Sequence, residues 1–138
     1  ANFDVEFRKD FLKLLQEFIA DGQKSVVLAT HLMEDIDRLA DYLIYLEDGR
    51  SIFAGQMEDF REQYRIVSGE AYKIKLLDRE DIIAMEQKKY GAKALVRHHG
   101  YQHYDTELTA VPPTVEEFMY FLSKAKTAER RNYEKVIH

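Results

Sequence analysis

The most constraining feature of the sequence is the apolar run at residues 26–29, Val-Val-Leu-Ala, which is followed by Thr30 and His31. Its apolar residues are consecutive, whereas a strand with one wet face alternates apolar and polar side chains. Both faces of this strand must therefore be covered, as in a parallel sheet with helices on each side. The run predicts an α/β layer fold around a buried strand that ends at Thr30-His31.

The segments on either side of this strand have helical periodicity. Residues 5–21 carry large apolar side chains in steps of three and four, with Asp4 placed to cap the helix and Gly22 placed to end it. A second helix is predicted over about 33–42 on the same grounds. The first apolar stripe consists of Phe7, Phe11, Leu14, Leu15, Phe18 and Ile19.

A hairpin and a short helix are predicted next. Residues 42–47 and 50–54 are β-prone, and the Asp48-Gly49 pair between them is a strong signal for a two-residue hairpin turn. Gly55 is expected to close the hairpin. Residues 56–64 then favour a short helix with Met57, Phe60 and Tyr64 on one side, and the first lobe is expected to end near residue 69.

The remaining chain predicts a second lobe of the order β-α-β-β-α. Residues 72–76 alternate as in a strand with one wet face, and a helix is predicted over 79–90. Two strands follow at 93–97 and 106–111, and Pro112-Pro113 stops the second of them. The run 114–117, Thr-Val-Glu-Glu, is a capping box that predicts a final helix through Leu122.

Composition limits the classes of function. The 138 residues include no cysteine, which excludes a disulfide scaffold and fits a reducing compartment. The first residues lack the basic start and apolar core of a signal peptide, and no apolar run reaches the length of a membrane span, so we expect a cytoplasmic protein. A net charge of -5 does not favour nucleic acid as a partner. The charge is uneven, however, since residues 31–62 are acidic and residues 123–138 are basic.

The segment around His31 resembles the switch-histidine segment of ABC transporter ATPases. In that family a buried strand ends in Thr-His, a helix with acidic residues follows, and an Ala-Asp pair precedes a hairpin with an aspartate or asparagine before its glycine. Here these elements are Thr30-His31, residues 33–39, Ala40-Asp41 and Asp48-Gly49. The first four residues, Ala1-Asn2-Phe3-Asp4, are similar to the D-loop of the same family, with Ala1 in place of the usual serine.

Other motifs of the family are absent from the sequence. It contains no G-x-x-x-x-G-K-[ST] phosphate loop, no Leu-Ser-Gly-Gly-Gln signature and no apolar strand ending in Asp-Glu. In the family these motifs precede the D-loop. The resemblance thus implies a C-terminal portion of an ATPase subunit of the ABC-2 or antibiotic-peptide exporter type. We expect an α/β fold, with an incomplete P-loop ATPase core over 1–69, a small α+β accessory lobe over 70–126 and a basic tail over 127–138.

The resemblance also implies roles for particular residues. His31 would contact the γ-phosphate and the attacking water in the intact subunit, and Ala1, Asn2 and Asp4 would lie at the nucleotide site and the contact between two ATPase subunits. ATP and Mg would serve the intact subunit, whereas the chain alone should hold no cofactor and hydrolyse no ATP. The implied partners are a transmembrane permease subunit and a second ATPase subunit, with the protein peripheral on the cytoplasmic face of the membrane.

Two other interpretations remain open at this stage. In the first, the chain is a small stand-alone interaction or regulatory α/β domain, His31 is structural, and the acidic segment docks a basic partner. In the second, the basic tail leads a nucleic-acid-binding module. If the ATPase interpretation holds, strand 24–30 has uncovered faces and edges, which predicts self-association.

A histidine cluster is the remaining candidate for chemistry. His98, His99 and His103 lie in one predicted loop, and the last two have the spacing of a helical metal pair. The segment favours a strand or loop instead, so we expect a solvent-facing hairpin and no metal. Tyr101 and Tyr104 could stack on bases, but such aromatics more often cover a sheet.

Overall fold

A computed structural model describes residues 5–23 and 37–137, and its contacts divide the chain into two compact units, 1–40 and 41–138. The described fold is mixed α/β with two antiparallel sheets and a long C-terminal helix, which confirms the predicted fold class. The predicted buried strand 24–30 and most of the helix after it lie outside the described residues.

The first unit contains helix α1, Val5–Ile19, as the apolar periodicity predicted. Gly22 ends it with a φ of 72°, and its N–H donates to the carbonyl of Ile19 at 3.1 Å. A left-handed residue of this kind satisfies a carbonyl that the last turn of a helix leaves unpaired, and glycine adopts it without a steric penalty. Residues 37–39 are also helical.

The second unit begins with the predicted hairpin. Strands β1, Tyr42–Glu47, and β2, Arg50–Gln56, pair antiparallel around Asp48-Gly49. Asp48 and Gly49 have φ values of 50° and 75°, the two positive angles that a two-residue turn with the twist of the strands requires. Gly55 does not close the hairpin, because it lies within β2 opposite Leu43.

Helix α2, Met57–Gln63, follows directly and buries Met57 and Phe60. Tyr64, predicted on this helix, instead begins strand β3, Tyr64–Gly69. This strand lies in the interior of a four-stranded sheet with the order β4-β5-β3-β6. The residues around the expected lobe boundary near 69 thus belong to the same sheet as the chain that follows.

Two elements of the second lobe were predicted wrongly. Residues 72–76 do not form a strand, since Ala71–Ile74 is a single helical turn, α3. Ile74 is fully buried there, whereas Tyr72 and Leu76 are 59% and 81% exposed, so the alternation of apolar residues did not correspond to one covered face. Residues 79–90 do not form a helix either, because Ile82–Lys88 is strand β4.

The other elements of this lobe have the predicted type and order, although the strand predicted over 106–111 covers only Thr109–Val111. Strand β5, Gly91–Arg97, pairs with β3 and β4, and strand β6, Thr109–Val111, pairs with the other edge of β3. Helix α4, Val115–Ile137, is longer than predicted and includes the residues expected to form a basic tail. Thr114 Oγ1 accepts from the N–H of Glu117 and Glu117 Oε1 accepts from the N–H of Thr114, both at 3.1 Å, which confirms the capping box.

The four-stranded sheet is covered on both faces. On one face, Val67 of β3 and Ala94 and Val96 of β5 pack with Ile74 of α3. On the other, Phe118 of α4 packs against Phe60, Tyr64 and the hairpin residue Tyr45. None of the helices in the described part of the chain has the length and apolar character needed to cross a membrane.

Candidate functional site

The residues that the sequence assigned to nucleotide chemistry lie outside the described part of the chain. This applies to His31 and to Ala1, Asn2 and Asp4. Their assigned roles therefore stay predictions, and the described geometry concerns the segments that follow them in the chain. The hairpin is the part of the switch-histidine resemblance that the structure describes most fully.

The turn of the hairpin is tied to helix α4. Lys126 donates a hydrogen bond to the Asp48 carboxylate, and its Nζ lies 3.9 Å from Glu47 Oε1. The hydrogen bond and the charge of Lys126 lower the pKa of Asp48, with a smaller contribution from Arg130. Asp48 is thus held ionised at the tip of the hairpin, facing a cation from a helix about 80 residues later in the chain.

The two faces of the hairpin have opposite environments. The inner face buries Leu43 and Phe53, which are 8% and 6% exposed. The outer face carries apolar side chains that the unit leaves open to solvent. These are Tyr42, Ile44, Leu46 and Ile52, at 59%, 60%, 68% and 40% exposure. A contiguous apolar strip of this kind is typical of a surface that another polypeptide covers.

An aromatic cluster holds the inner face in place. The ring of Phe118 lies 5.5 Å from Tyr45, 5.0 Å from Phe60 and 4.8 Å from Tyr64, measured between centroids. The Phe53 ring adds an edge contact to Phe60 at 5.3 Å. Phe118 therefore joins the hairpin, α2 and β3 through one fully buried ring. The sequence signal for this role was its position in the first turn and a half of a capped helix.

Two histidines of the predicted cluster, His98 and His99, each make a polar contact. His98 Nδ1 lies 2.9 Å from the hydroxyl of Tyr104, and the two rings stack at 24°. Burial lowers the pKa of His98, and the charges of Arg65 and His99 lower it further. His99 Nε2 lies 3.0 Å from Asp81 Oδ1 and ties the loop to the start of β4. These contacts position the loop after β5.

Over residues 5–23 and 37–137, the structure brings together no group of three His, Cys, Asp or Glu side chains that could hold an ion. Sequence reasoning missed Asp81 as the partner of His99, because that contact depends on the placement of strand β4, which was predicted as a helix. It also had no signal for the His98–Tyr104 pair within the loop. Tyr104 also packs against the buried core, as expected for an aromatic that covers a sheet.

The basic segment 123–138 engages acidic groups of the molecule itself. Lys124 Nζ lies 3.8 Å from Glu86 Oε1 of β4, and Lys126 pairs with Glu47 and Asp48. Two of its five basic residues thus have carboxylate partners within the second unit. This reduces the charge that the segment offers to a nucleic acid.

Comparison with known proteins finds similarity to ATP-binding proteins named EcfA2, of energy-coupling factor transporters. The Streptococcus agalactiae serotype Ia protein is 25% identical over 120 residues, covering 86% of this chain and 36% of the relative. The Lactococcus lactis subsp. lactis protein is 41% identical, and the Enterococcus faecalis protein 32%, each over 59 residues, 43% of this chain and 20% of the relative.

These relatives are ATP-binding subunits of ABC transporters. The chain spans about a third of the length of the first and a fifth of the other two. The similarity agrees with the resemblance carried by residues 26–50. It gives no support to the antibiotic-peptide exporter type, because the relatives are named for a different class of transporter. Neither a family model nor a solved structure matches the chain.

Proposed function

We propose that this chain is the C-terminal portion of the ATP-binding subunit of an ABC transporter. The observation that carries the proposal is the similarity to an ATP-binding transport protein over 86% of the chain, combined with the Thr30-His31 to Asp48-Gly49 motif order. The open apolar face of the hairpin supports it, because that face needs a covering polypeptide.

In the intact subunit, His31 would act at the γ-phosphate of ATP, and Ala1, Asn2 and Asp4 would contact the nucleotide site and a second ATPase subunit. ATP and Mg are the cofactors of that subunit. A phosphate cradle consists of successive backbone N–H groups with a lysine and a hydroxyl, and the sequence contains no such loop. The chain by itself should therefore neither bind nor hydrolyse ATP.

The proposed partners are a transmembrane permease and a second ATP-binding subunit, which would place the protein on the cytoplasmic face of the membrane. The residue pattern resembles exporters, whereas the relatives are named for energy-coupling factor transport. The relatives favour the second class, and the direction of transport stays a prediction.

A two-part experiment tests this function. Calorimetric titration of the chain with Mg-ATP should show no binding, and a micromolar dissociation constant would contradict the assignment. The open reading frame upstream of Ala1 should encode the phosphate loop and signature motifs. In the subunit encoded by that longer frame, His31→Ala should reduce ATP hydrolysis by on the order of 100-fold or more. His103→Ala, which changes an exposed histidine of the accessory lobe, should leave hydrolysis unchanged.

A stand-alone interaction domain is the second candidate. The observation that favours it is the closed core of residues 41–138, which contains Phe60, Ile66, Leu95 and Phe118 at 2% exposure or less. Under this alternative the upstream frame would lack ATPase motifs, and the acidic hairpin region would bind a basic peptide with strong salt dependence. Monomeric behaviour of the chain at high concentration would also favour it.

A further inference from the structure

The C-terminal helix α4 consists of two halves with different support. Residues 115–122 pack on the sheet and include the buried side chains Val115, Phe118 and Phe121. Residues 127–135 are exposed along their whole length. An isolated helix of this length is marginal in water, and one that is polar on all sides gains little from packing. The order of the outer half therefore depends on the contacts made by the residues just before it.

Ion pairs of Lys124 and Lys126 hold the residues just before the outer half. Lys126 reaches Asp48 and Glu47 at the hairpin turn, and Lys124 reaches Glu86 on β4. Glu86 also accepts a hydrogen bond from Tyr120 Oη at 2.9 Å, so the β4 side has a second contact in the supported half. Lys126 is the last residue of α4 for which the described structure shows an ion pair with another element, and Arg130, one turn later, adds a weaker attraction to Asp48.

At the other end of this contact, the hairpin turn is less supported than the strands that lead to it. The aromatic cluster anchors the strands through Tyr45 and Phe53, whereas Asp48 and Gly49 are exposed and hold positive φ angles. The side chain of Asp48 is 70% exposed and that of Lys126 is 36% exposed, so the pair should contribute modestly and should weaken with added salt. Each of two weakly supported segments thus gains order from the other through the same pair.

We propose that Asp48 and Lys126 form a latch that couples the hairpin turn to the outer half of α4. Opening the hairpin loosens residues 127–137, and loosening that half of the helix raises local opening of the turn. The coupling is reciprocal, because a binding free energy shared by two segments acts equally on both. A molecule that holds the outer half of the helix would therefore also steady the hairpin. The latch is a property of the fold and does not depend on the proposed ATPase function.

Hydrogen exchange measured by mass spectrometry on the full chain tests the latch. Asp48→Asn removes the charge but keeps a residue that tolerates a positive φ, so the turn should persist. Exchange of amides in residues 127–137 should then rise about two- to five-fold, the range for a surface ion pair. Lys124→Gln is the matched control on the same helix, and it should leave those amides nearly unchanged because Tyr120 still holds Glu86.

The effect of the helix on the hairpin turn is tested with Ala128→Gly. This change weakens the outer half of the helix and alters neither Asp48 nor Lys126. Amides of residues 46–51 should exchange faster in this variant. Added salt should accelerate exchange of 127–137 in the wild-type chain and much less in Asp48→Asn. The latch is overturned if Asp48→Asn leaves amide exchange in residues 127–137 unchanged, or if Lys124→Gln raises it equally. It is also overturned if Ala128→Gly does not accelerate exchange in residues 46–51.

Discussion

A Cβ atom at Gly91 would lie 2.6 Å from the carbonyl oxygen of Gly69, so the two glycines bring the start of β5 and the end of β3 to backbone contact. Gly91 also has a φ of 98°, in the region that side chains disfavour. The β4–β5 turn and the β3–β5 pairing therefore meet at a position where only glycine fits.

Gly91→Ala should lower the free energy of unfolding by roughly 1–3 kcal/mol, because it adds both backbone strain and a contact with an atom that cannot move aside. Urea unfolding followed by circular dichroism would measure the change. Gly100→Ala is the control, since no atom lies within 4 Å of its added Cβ. We expect that variant to stay within about 0.5 kcal/mol of the parent. Equal effects of the two changes would contradict the packing at Gly91.

The capping box predicts a second stability change. Thr114→Ala removes the acceptor for the N–H of Glu117 and should lower the free energy of unfolding by about 1 kcal/mol. Thr127→Ala on the same helix removes only a bond to the carbonyl of Ser123 and should change it by less than about 0.5 kcal/mol. Chemical denaturation would measure the free energy of unfolding of both variants. A larger decrease in Thr127→Ala than in Thr114→Ala would contradict a stabilising role for the capping box.

His98 predicts a dependence of stability on pH. Its pKa in the folded chain is below the ordinary value, mainly because of burial, so the unfolded chain binds the proton more readily. Neutral, partly buried His98 therefore contributes to the stability of the folded chain above the unfolded pKa of about 6.5. This contribution is lost as the pH falls through the folded pKa.

The parent chain should therefore lose more stability between pH 7.5 and pH 5 than His98→Gln, which cannot take up the proton. Urea midpoints at several pH values would measure the difference. His103→Gln, at an exposed position of the same loop, should follow the parent. If the His98→Gln variant loses as much stability as the parent, burial of His98 does not govern the effect.

The outer face of the hairpin predicts self-association of the chain. Ile44→Thr with Leu46→Thr keeps β-propensity but removes apolar surface, and should shift the chain toward the monomer. Sedimentation velocity over a range of concentrations would show this. Tyr72→Thr with Leu76→Thr removes exposed apolar surface elsewhere and serves as the control. A monomeric parent, or an equal response in the control, would remove the basis for this prediction.

Local signals were sufficient where one short segment decides its own conformation. The Asp48-Gly49 turn, the Thr114–Glu117 capping box and the end of α1 at Gly22 were all predicted, because each depends on residues within one turn. His31 was assigned to a nucleotide site from its resemblance to the switch-histidine segment, and it lies outside the described residues, so the assignment stays a prediction.

Strand β4 shows what local signals could not supply. Residues 82–88, Ile-Ile-Ala-Met-Glu-Gln-Lys, include several good helix formers, yet they pair with β5 from Ile82 to Lys88. The ladder with β5 and the cover of α4, including the bond from Tyr120 to Glu86, outweigh a preference that is a few tenths of a kcal/mol per residue. The His99–Asp81 contact was missed for the same reason.

The sequence by itself determined the end of α1 at Gly22, the capped start of α4 and the hairpin turn, because these depend on backbone preferences and on spacing along the chain. Only the tertiary structure decided that Lys126 meets Asp48, that Phe118 joins three elements, and that 82–88 is a strand. Such contacts join residues far apart in the chain, and their free energy exists only once the sheet and helix α4 have assembled.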